Sequence, residues 1–369
     1  MLTRRELRRV DRPLLIVTLL LLGIGLLALY SASLQKTQAT GIQFLMRQLT
    51  WAPLGLLLAG LLLVVEYHRW LEWAYLLYGV NMLLLLMVLE MGVVRGGAQR
   101  WLTFAGLTVQ PSEFAKVTTV LALARYLGSR SATPWGRADS QWKAIGVSAL
   151  LALIPMVLIL KEPNLGTASV FLPILLAMLL VWGIRPRVIG LMLAAGALLA
   201  PFAWGRLADY QRSRLLVFLN PSLDPLGAGY TVVQSKIAIG SGRLWGKGWL
   251  AGTQNQLNFL PERHTDFIFS VVGEEWGFLG TTFCLALFGL LFYRGILIAT
   301  QTRDPFGRLL VVGLVAMLAT HLVVNTGMTL GLMPVVGLPL PFFSYGGSWL
   351  LTSLTTVGII LSIGIRNGV

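Results

Sequence analysis

The sequence predicts an all-α polytopic membrane protein. Mean hydropathy is +0.75, and 56% of the 369 residues are apolar while only 12% are charged. Apolar runs also recur along the chain, most of them long enough to cross about 30 Å of hydrocarbon at 1.5 Å per residue. This composition excludes a soluble chain folded around one large core. It predicts a single membrane domain over residues 1–369. One cysteine, Cys284, lies inside an apolar run, which leaves no intramolecular disulfide and no thiolate metal site.

In chain order the spans read Leu14 to Ser33, Phe44 to Val65, Trp70 to Leu89, Glu113 to Leu127, Ala144 to Leu160, Leu165 to Trp182 and Val188 to Trp204. Phe267 to Ala299, Leu309 to Leu332 and Trp349 to Ile365 complete ten transmembrane helices. The fourth is short, about 22 Å if helical, and carries Glu113 and Lys116, so it is expected to line a cavity or sit shallow. The first has a basic start like a signal peptide, but its length and the spans that follow favour an uncleaved anchor. A large extracytoplasmic loop, residues 205–265, falls between spans seven and eight. Within it, Gly229 to Ala238 reads as a short amphipathic helix at the outer interface.

Charge orients the bundle. With both termini inside, the inner side collects Arg4, Arg5, Arg8, Arg9, Arg12, Arg69, Arg125, Arg130, Arg137, Lys143, Arg185, Arg187, Arg294, Arg303, Arg308 and Arg366. The short outer loops hold only Lys36, Arg47, Arg95, Arg100 and Lys161. The positive-inside rule is then obeyed. The formal charge of +14 therefore reflects topology rather than nucleic-acid binding.

Candidate chemistry gathers where the long loop enters the eighth span. Asp266 there is open to two compatible readings, a helix N-cap or a general base at the outer mouth of a cavity. On a helix counted from Asp266, Glu274 is offset by about 80° and Glu275 lies about opposite. Glu274 is thus expected to be the cavity acid and Glu275 to be paired in the bundle. An ionised acid facing lipid costs roughly 2.5–3.5 kcal/mol, so both should face protein or water. Gly273 and Gly277 form a GxxxG, which means close helix packing.

Gln110, Pro111 and Ser112 read as a helix start, with Glu113 and Lys116 at i, i+3. That pair either neutralises itself or turns Lys116 toward Asp266 or an anionic substrate group. The long loop carries Arg206, Arg212, Arg214, Lys236, Arg243, Lys247 and Arg263 against three acids, either as solvated charge or for phosphate-bearing ligands. GSGRLWGKG within it fails the nucleotide-loop pattern at Ser241 and Gly248. His264 and Asp266 lack the companions of a structural zinc site, although Mg²⁺ or Mn²⁺ bridging Asp266 to a pyrophosphate is compatible with them. The Pro- and Gly-rich stretch MPVVGLPLPFFSYGGS, Met333 to Ser348, is either a rigid loop closing a cavity rim or a connector.

Several of these stretches resemble the SEDS family of bacterial membrane proteins typified by RodA and FtsW. The carriers are LPERHTDFIFSVVGEEWG, NTGMTLGLMPVVGLPLPFFSYGGS, QPSEFAK, EPNLGT and QSKIAIGSG, in family order over nearly the whole chain. The LPERHTD form, with Arg263, is more similar to the RodA branch. The resemblance implies a peptidoglycan glycosyltransferase, inverting, that polymerises lipid II at the outer face of the cytoplasmic membrane for cell elongation. It also implies a class B penicillin-binding protein and other elongation-complex membrane proteins as partners, and undecaprenyl-pyrophosphate-linked glycan as bound substrate. The family's essential aspartate falls on Asp266, and its QPSE acid and lysine on Glu113 and Lys116. Arg206, Arg212, Arg263, His264, Glu274 and Ser344 are expected to bind substrate or support the site. Relatives commonly carry Asp where this chain has Asn164, which puts an electrostatic role there in doubt. The rival reading, equally consistent with composition and span count, is a transporter or flippase for lipid II, with Glu113, Lys116, Glu274 and Glu275 lining a path.

Overall fold

A computed structural model describes residues 9–34, 42–95, 98–104, 107–130, 138–206, 208–225 and 227–367. Arg4, Arg5, Arg8, Lys36 and Arg137 of the charge tally lie outside these residues. Each of the ten expected segments is helical: α1 Arg12–Ser33, α2 Ile42–Val64, α3 Tyr67–Met91, α4 Pro111–Gly128, α5 Ala138–Lys161, α6 Leu165–Trp182, α7 Pro186–Arg206, α11 Ile268–Gln301, α12 Pro305–Thr329 and α13 Gly347–Asn367. Eight of them are long and apolar enough to cross a membrane. The other two are α4, which carries Glu113, Lys116 and Arg125, and α7, whose apolar stretch among the described residues is Pro186–Leu198, so eight of the ten expected spans are supported by length and composition.

Local chemistry sets the helix ends. Asp11 caps α1 by accepting from the Leu14 amide at 2.8 Å, and Pro13 takes a first-turn position where no amide partner is needed. Arg294 of α11 grips the same carboxylate through Nε at 3.1 Å and Nη2 at 2.5 Å, tying two helices at one end of the bundle. α13 is the most enclosed helix and packs against α2. A Cβ on Gly358 would lie 2.8 Å from the Ala59 backbone, so a small residue is required at that crossing.

Two features were not expected from sequence. Between α3 and α4 the chain forms a three-stranded antiparallel sheet, β1 Val93–Arg95, β2 Ala98–Phe104 and β3 Leu107–Val109, in the order β1-β2-β3. The second feature is a break in α11. Gly277 adopts φ 67, ψ −162, which splits the 34-residue helix into an outer piece ending at Trp276 and a longer apolar piece from Phe278. Glu274 and Glu275 therefore sit on the loop side of the break and not deep in the apolar span.

The long loop is largely helical, with α8 Asp209–Leu219, a 3₁₀ turn Pro221–Leu223, α9 Ala228–Gly242 and α10 Thr253–Gln256. The short helix expected over residues 229–238 is α9, and it packs on the outer piece of α11. The GxxxG closes this contact. A Cβ on Gly242 would meet the Gly273 carbonyl at 1.9 Å, and one on Gly277 would meet the Gly246 amide nitrogen at 2.3 Å. Gly277→Ala should thus lower unfolding stability by about 1–3 kcal/mol, since it combines left-handed backbone strain with overpacking. Thermal melts of the purified full chain in detergent check this; an unchanged midpoint would refute the account of the break.

Candidate active site

Asp266 stands on a tight turn just before α11. The amides of Thr265, Asp266 and Phe267 all donate to the Glu262 carbonyl, at 3.1, 3.1 and 3.2 Å. The N-cap of α11 is Phe267, without a side-chain cap bond. The capping reading of Asp266 therefore fails. Its carboxylate accepts no hydrogen bond among the described residues and is half-buried on the wall of a cleft of about 440 Å³.

The Pro- and Gly-rich loop holds this turn in place. Asn325 Nδ2 donates to the Asp266 carbonyl at 2.9 Å and to the Leu338 carbonyl at 2.8 Å, so one amide of α12 grips turn and loop together. Ser344 Oγ donates to the Thr265 carbonyl at 2.5 Å and accepts from the Leu340 amide at 2.8 Å. The Tyr345 amide donates to the His264 carbonyl at 2.8 Å. Gly337, at φ 73, lets the loop backbone lie so close that a Cβ there would be 3.3 Å from Asp266 Oδ2. The loop is a rigid rim, as one of its two readings expected.

Across the cleft, Glu113 projects from the first turn of α4. Behind it Lys116 is fully buried, donating to Glu113 Oε2 at 2.7 Å and to His321 Nε2 at 2.8 Å, with its ammonium 4.3 Å from the Trp349 ring centroid. His321 Nδ1 lies 3.0 Å from the Pro339 carbonyl, which can only accept. The proton therefore sits on Nδ1, and Nε2 is free to accept from Lys116. The pair neither stands alone nor reaches Asp266: Glu113 faces the cleft and Lys116 is locked in place behind it.

The cations that do line the cleft are Arg100 of β2 and Arg214 of α8. Arg100 Nε donates to the Glu162 carbonyl at 3.1 Å, and its Nη2 donates to the Pro163 carbonyl. Asn164, also on the cleft wall, caps α6 by accepting from the Thr167 amide at 3.2 Å. Burial, with help from the Glu262 charge, pushes the Asp266 carboxyl up to about 6, while Arg214 and Arg100 pull it down. Burial also pushes Glu162 up to about 8 against the pull of Arg100.

The comparisons with known proteins bear on this arrangement. The family model for the cell cycle proteins FtsW, RodA and SpoVE matches residues 12–367. The chain belongs to this FtsW/RodA/SpoVE family. It is 41% identical over 354 residues, 96% of this chain and 93% of the relative, to the peptidoglycan glycosyltransferase MrdB of Escherichia coli. It is 32% identical to the peptidoglycan glycosyltransferase RodA of Treponema pallidum, covering 96% and 98% of the two chains. Among solved structures it is similar to a chain of a peptidoglycan synthase complex that coordinates polymerization and crosslinking, with TM-score 0.82, 36% identity and coverage of 97% and 98%. It is also similar to Thermus thermophilus RodA, with TM-score 0.71, 33% identity and 96% coverage of each chain.

In this member of the FtsW/RodA/SpoVE family several expected site residues prove to be scaffolding. Glu274 is not the cavity acid. It accepts from Lys247 Nζ at 2.7 Å, Thr253 Oγ1 at 3.1 Å and the amides of Gln254 and Asn255 at 3.0 and 3.3 Å, so it pins α10 to α11. Glu275 is paired as expected, accepting from Ser31 Oγ. Arg263 is buried and donates to the carbonyls of Ala32 and Asn255 and to Asn258 Oδ1, away from the cleft. His264 stacks on Phe44 at 4.2 Å instead of turning toward Asp266, and burial lowers its pKa. Arg206 is exposed at the end of α7, and Arg212 turns back to the carbonyls of Trp204 and Gly205. Ser344 supports the site through backbone bonds alone. Among the described residues no three His, Cys, Asp or Glu side chains are grouped to hold a metal.

The signal for Arg100 was present in the sequence. VVRGGAQRWLTFAGLTV alternates about Gly-Gly and Ala-Gly, which is hairpin chemistry. His321 gave no signal beyond being polar inside a span. Given these roles, Glu274→Ala should cost about 1–3 kcal/mol of stability by stranding the α10 amides, with substrate affinity retained. Thermal melts paired with a substrate-binding assay separate the two effects. Loss of binding without loss of stability would return Glu274 to the cleft.

Proposed function

We propose that the chain is a peptidoglycan glycosyltransferase that polymerises lipid II, with Asp266 as general base, at the outer face of the cytoplasmic membrane. The observation that carries this reading is an aspartate of raised pKa whose carboxylate accepts no hydrogen bond among the described residues, beside two arginines in a cleft at one end of a multi-pass bundle. Family membership and the named activity of the relatives support it.

Asp266 takes the proton of the acceptor's N-acetylglucosamine 4-hydroxyl as that oxygen bonds to the anomeric carbon of the donor's N-acetylmuramic acid. The bond from that carbon to the pyrophosphate oxygen breaks, and its electron pair leaves with undecaprenyl pyrophosphate. Single displacement inverts the centre and gives a β-1,4 link. Arg100 and Arg214 are placed to meet the developing charge on the pyrophosphate. Glu113, aimed by Lys116 and the neutral His321, faces the space between.

The donor set is also compatible with Mg²⁺ or Mn²⁺, which bind through one or two carboxylates together with substrate phosphates. Asp266 with Glu262 would hold the ion, which would supply charge neutralisation at the pyrophosphate. The membership of a similar chain in a synthase complex that couples polymerization to crosslinking supports a class B penicillin-binding protein as partner. Basic residues concentrated at the bundle end opposite the cleft support a cytoplasmic placement of both termini. A flippase would need ionisable groups leading through the bundle. Instead Glu113 and Lys116 neutralise each other near one end, and Glu274 and Glu275 are bound to the loop and α1.

The test is conversion of labelled lipid II to glycan by the full chain with its penicillin-binding partner. Asp266→Asn should lose polymerisation by about 10²-fold or more while still binding lipid II; full activity would sink the base assignment. The parent's rate should also fall as pH drops through about 6, because the base works only when deprotonated. A rate that stays flat from pH 7 to pH 5 would contradict it.

A further inference from the structure

At the end of the bundle away from the cleft, α6, α11 and α12 line an open groove of about 390 Å³. Leu180 and Val181 of α6, Ile296 of α11, and Val312 and Val315 of α12 give it apolar walls. Arg308, in the first turn of α12, and Thr300, in the last turn of α11, mark its mouth, away from the bundle middle. From Arg308 the wall runs to Ala316, about 12 Å along the helix toward the bundle middle.

The Arg308 side chain has no counter-ion among the described residues: it makes no hydrogen bond or ion pair there, and its Nε is buried without a partner while the residue as a whole is half-exposed. It also stands at the N-terminal end of α12, where the helix dipole favours anions and disfavours cations. The acid nearest in sequence, Asp304, is occupied: it accepts from the Phe306 and Gly307 amides at 3.3 and 2.9 Å and lies 3.7 Å from His68. Arginine does not shed its proton to relieve such a position. It keeps its charge at the mouth of the groove, where an anion from outside the fold would complement it.

The form of the groove limits what that anion can be. A helix about 10 Å across does not enter a groove of this volume, whereas one extended acyl chain does. A guanidinium at the mouth and an all-apolar channel behind it match a phosphate attached to a hydrocarbon chain. Exposed Arg187 and Arg303 add positive charge at the same end, which favours a headgroup of net negative charge over a zwitterion.

We propose that this groove binds an anionic glycerophospholipid of the leaflet opposite the cleft, its phosphate on Arg308 and one acyl chain between α6, α11 and α12. The lipid braces the helix that carries Asn325, about 26 Å further along the same axis. The site does not depend on the glycosyltransferase reading.

The experiment uses the delipidated full chain in detergent, titrated with phosphatidylglycerol or with phosphatidylcholine of the same chains. Thermal unfolding and native mass spectrometry are the readouts. Phosphatidylglycerol should raise the unfolding midpoint saturably and remain bound, while phosphatidylcholine does neither. Arg308→Gln should weaken phosphatidylglycerol retention at least about tenfold, the loss of a charge-assisted bond. Ala316→Phe, which leaves the arginine intact and fills the channel, should weaken it too, so the test survives if Arg308→Gln does not fold. Equal response to both lipids, full retention in Ala316→Phe, or displacement of phosphatidylglycerol by equimolar undecaprenyl phosphate would overturn the proposal.

Discussion

One side-chain amide holds the site together. Asn325 donates both of its protons to backbone carbonyls, one on the turn that presents Asp266 and one on the loop that walls the cleft. Neither segment has regular structure to fix it, and both lie where the bundle opens. Two segments joined through their backbones can hold an aspartate side chain clear of any partner. A carboxylate in a helix cap is already satisfied; one positioned by its own backbone stays available. The Ser344 hydroxyl and the Tyr345 amide add two further bonds between the same segments, so the turn is held along its length.

The buried charges follow from the cost of ionised groups in hydrocarbon. Lys116 is tolerated because all of its surroundings answer it: a carboxylate, an imidazole nitrogen and an indole face. The tautomer of His321 makes this possible, since the Pro339 carbonyl fixes the proton on the far nitrogen. The acids of α11 are accommodated differently. The break at Gly277 shifts Glu274 and Glu275 out of the apolar piece, and Gly242 and Gly246 let the loop carbonyls and amides close over them. Glycine is required at that break by both backbone angle and space.

Much of the fold was legible because a membrane leaves few alternatives. Apolar runs of span length have to be helices, and all ten are. Asp266, Glu113 and the Met333 to Ser348 rim were legible as polar or stiff residues at span ends. The errors have physical causes. Glu274 was given a face by counting helical turns from Asp266, but Asp266 lies in a turn outside the helix, so the phase was wrong. Arg263 and Arg212 were assigned to substrate by charge alone, whereas both are consumed by backbone carbonyls. Arg100 was hidden among short-loop charges because the strands of its hairpin are only three to seven residues long. Such segments are too short to stand out beside spans of twenty.

The charges around Asp266 oppose one another, and the opposition gives the site a direction. Burial and Glu262 raise the carboxyl, Arg214 and Arg100 lower it, and the balance lies at about 6. At neutral pH the group is therefore deprotonated in most molecules, yet it is a stronger base than an exposed aspartate. A pyrophosphate seated on the two arginines would cancel the pull that holds the carboxyl down. The base would then strengthen when a donor arrives and relax when the pyrophosphate departs. On the proposed reading the same arginines keep the aspartate charged before a donor binds, so one pair of cations would serve the leaving group and restrain the base.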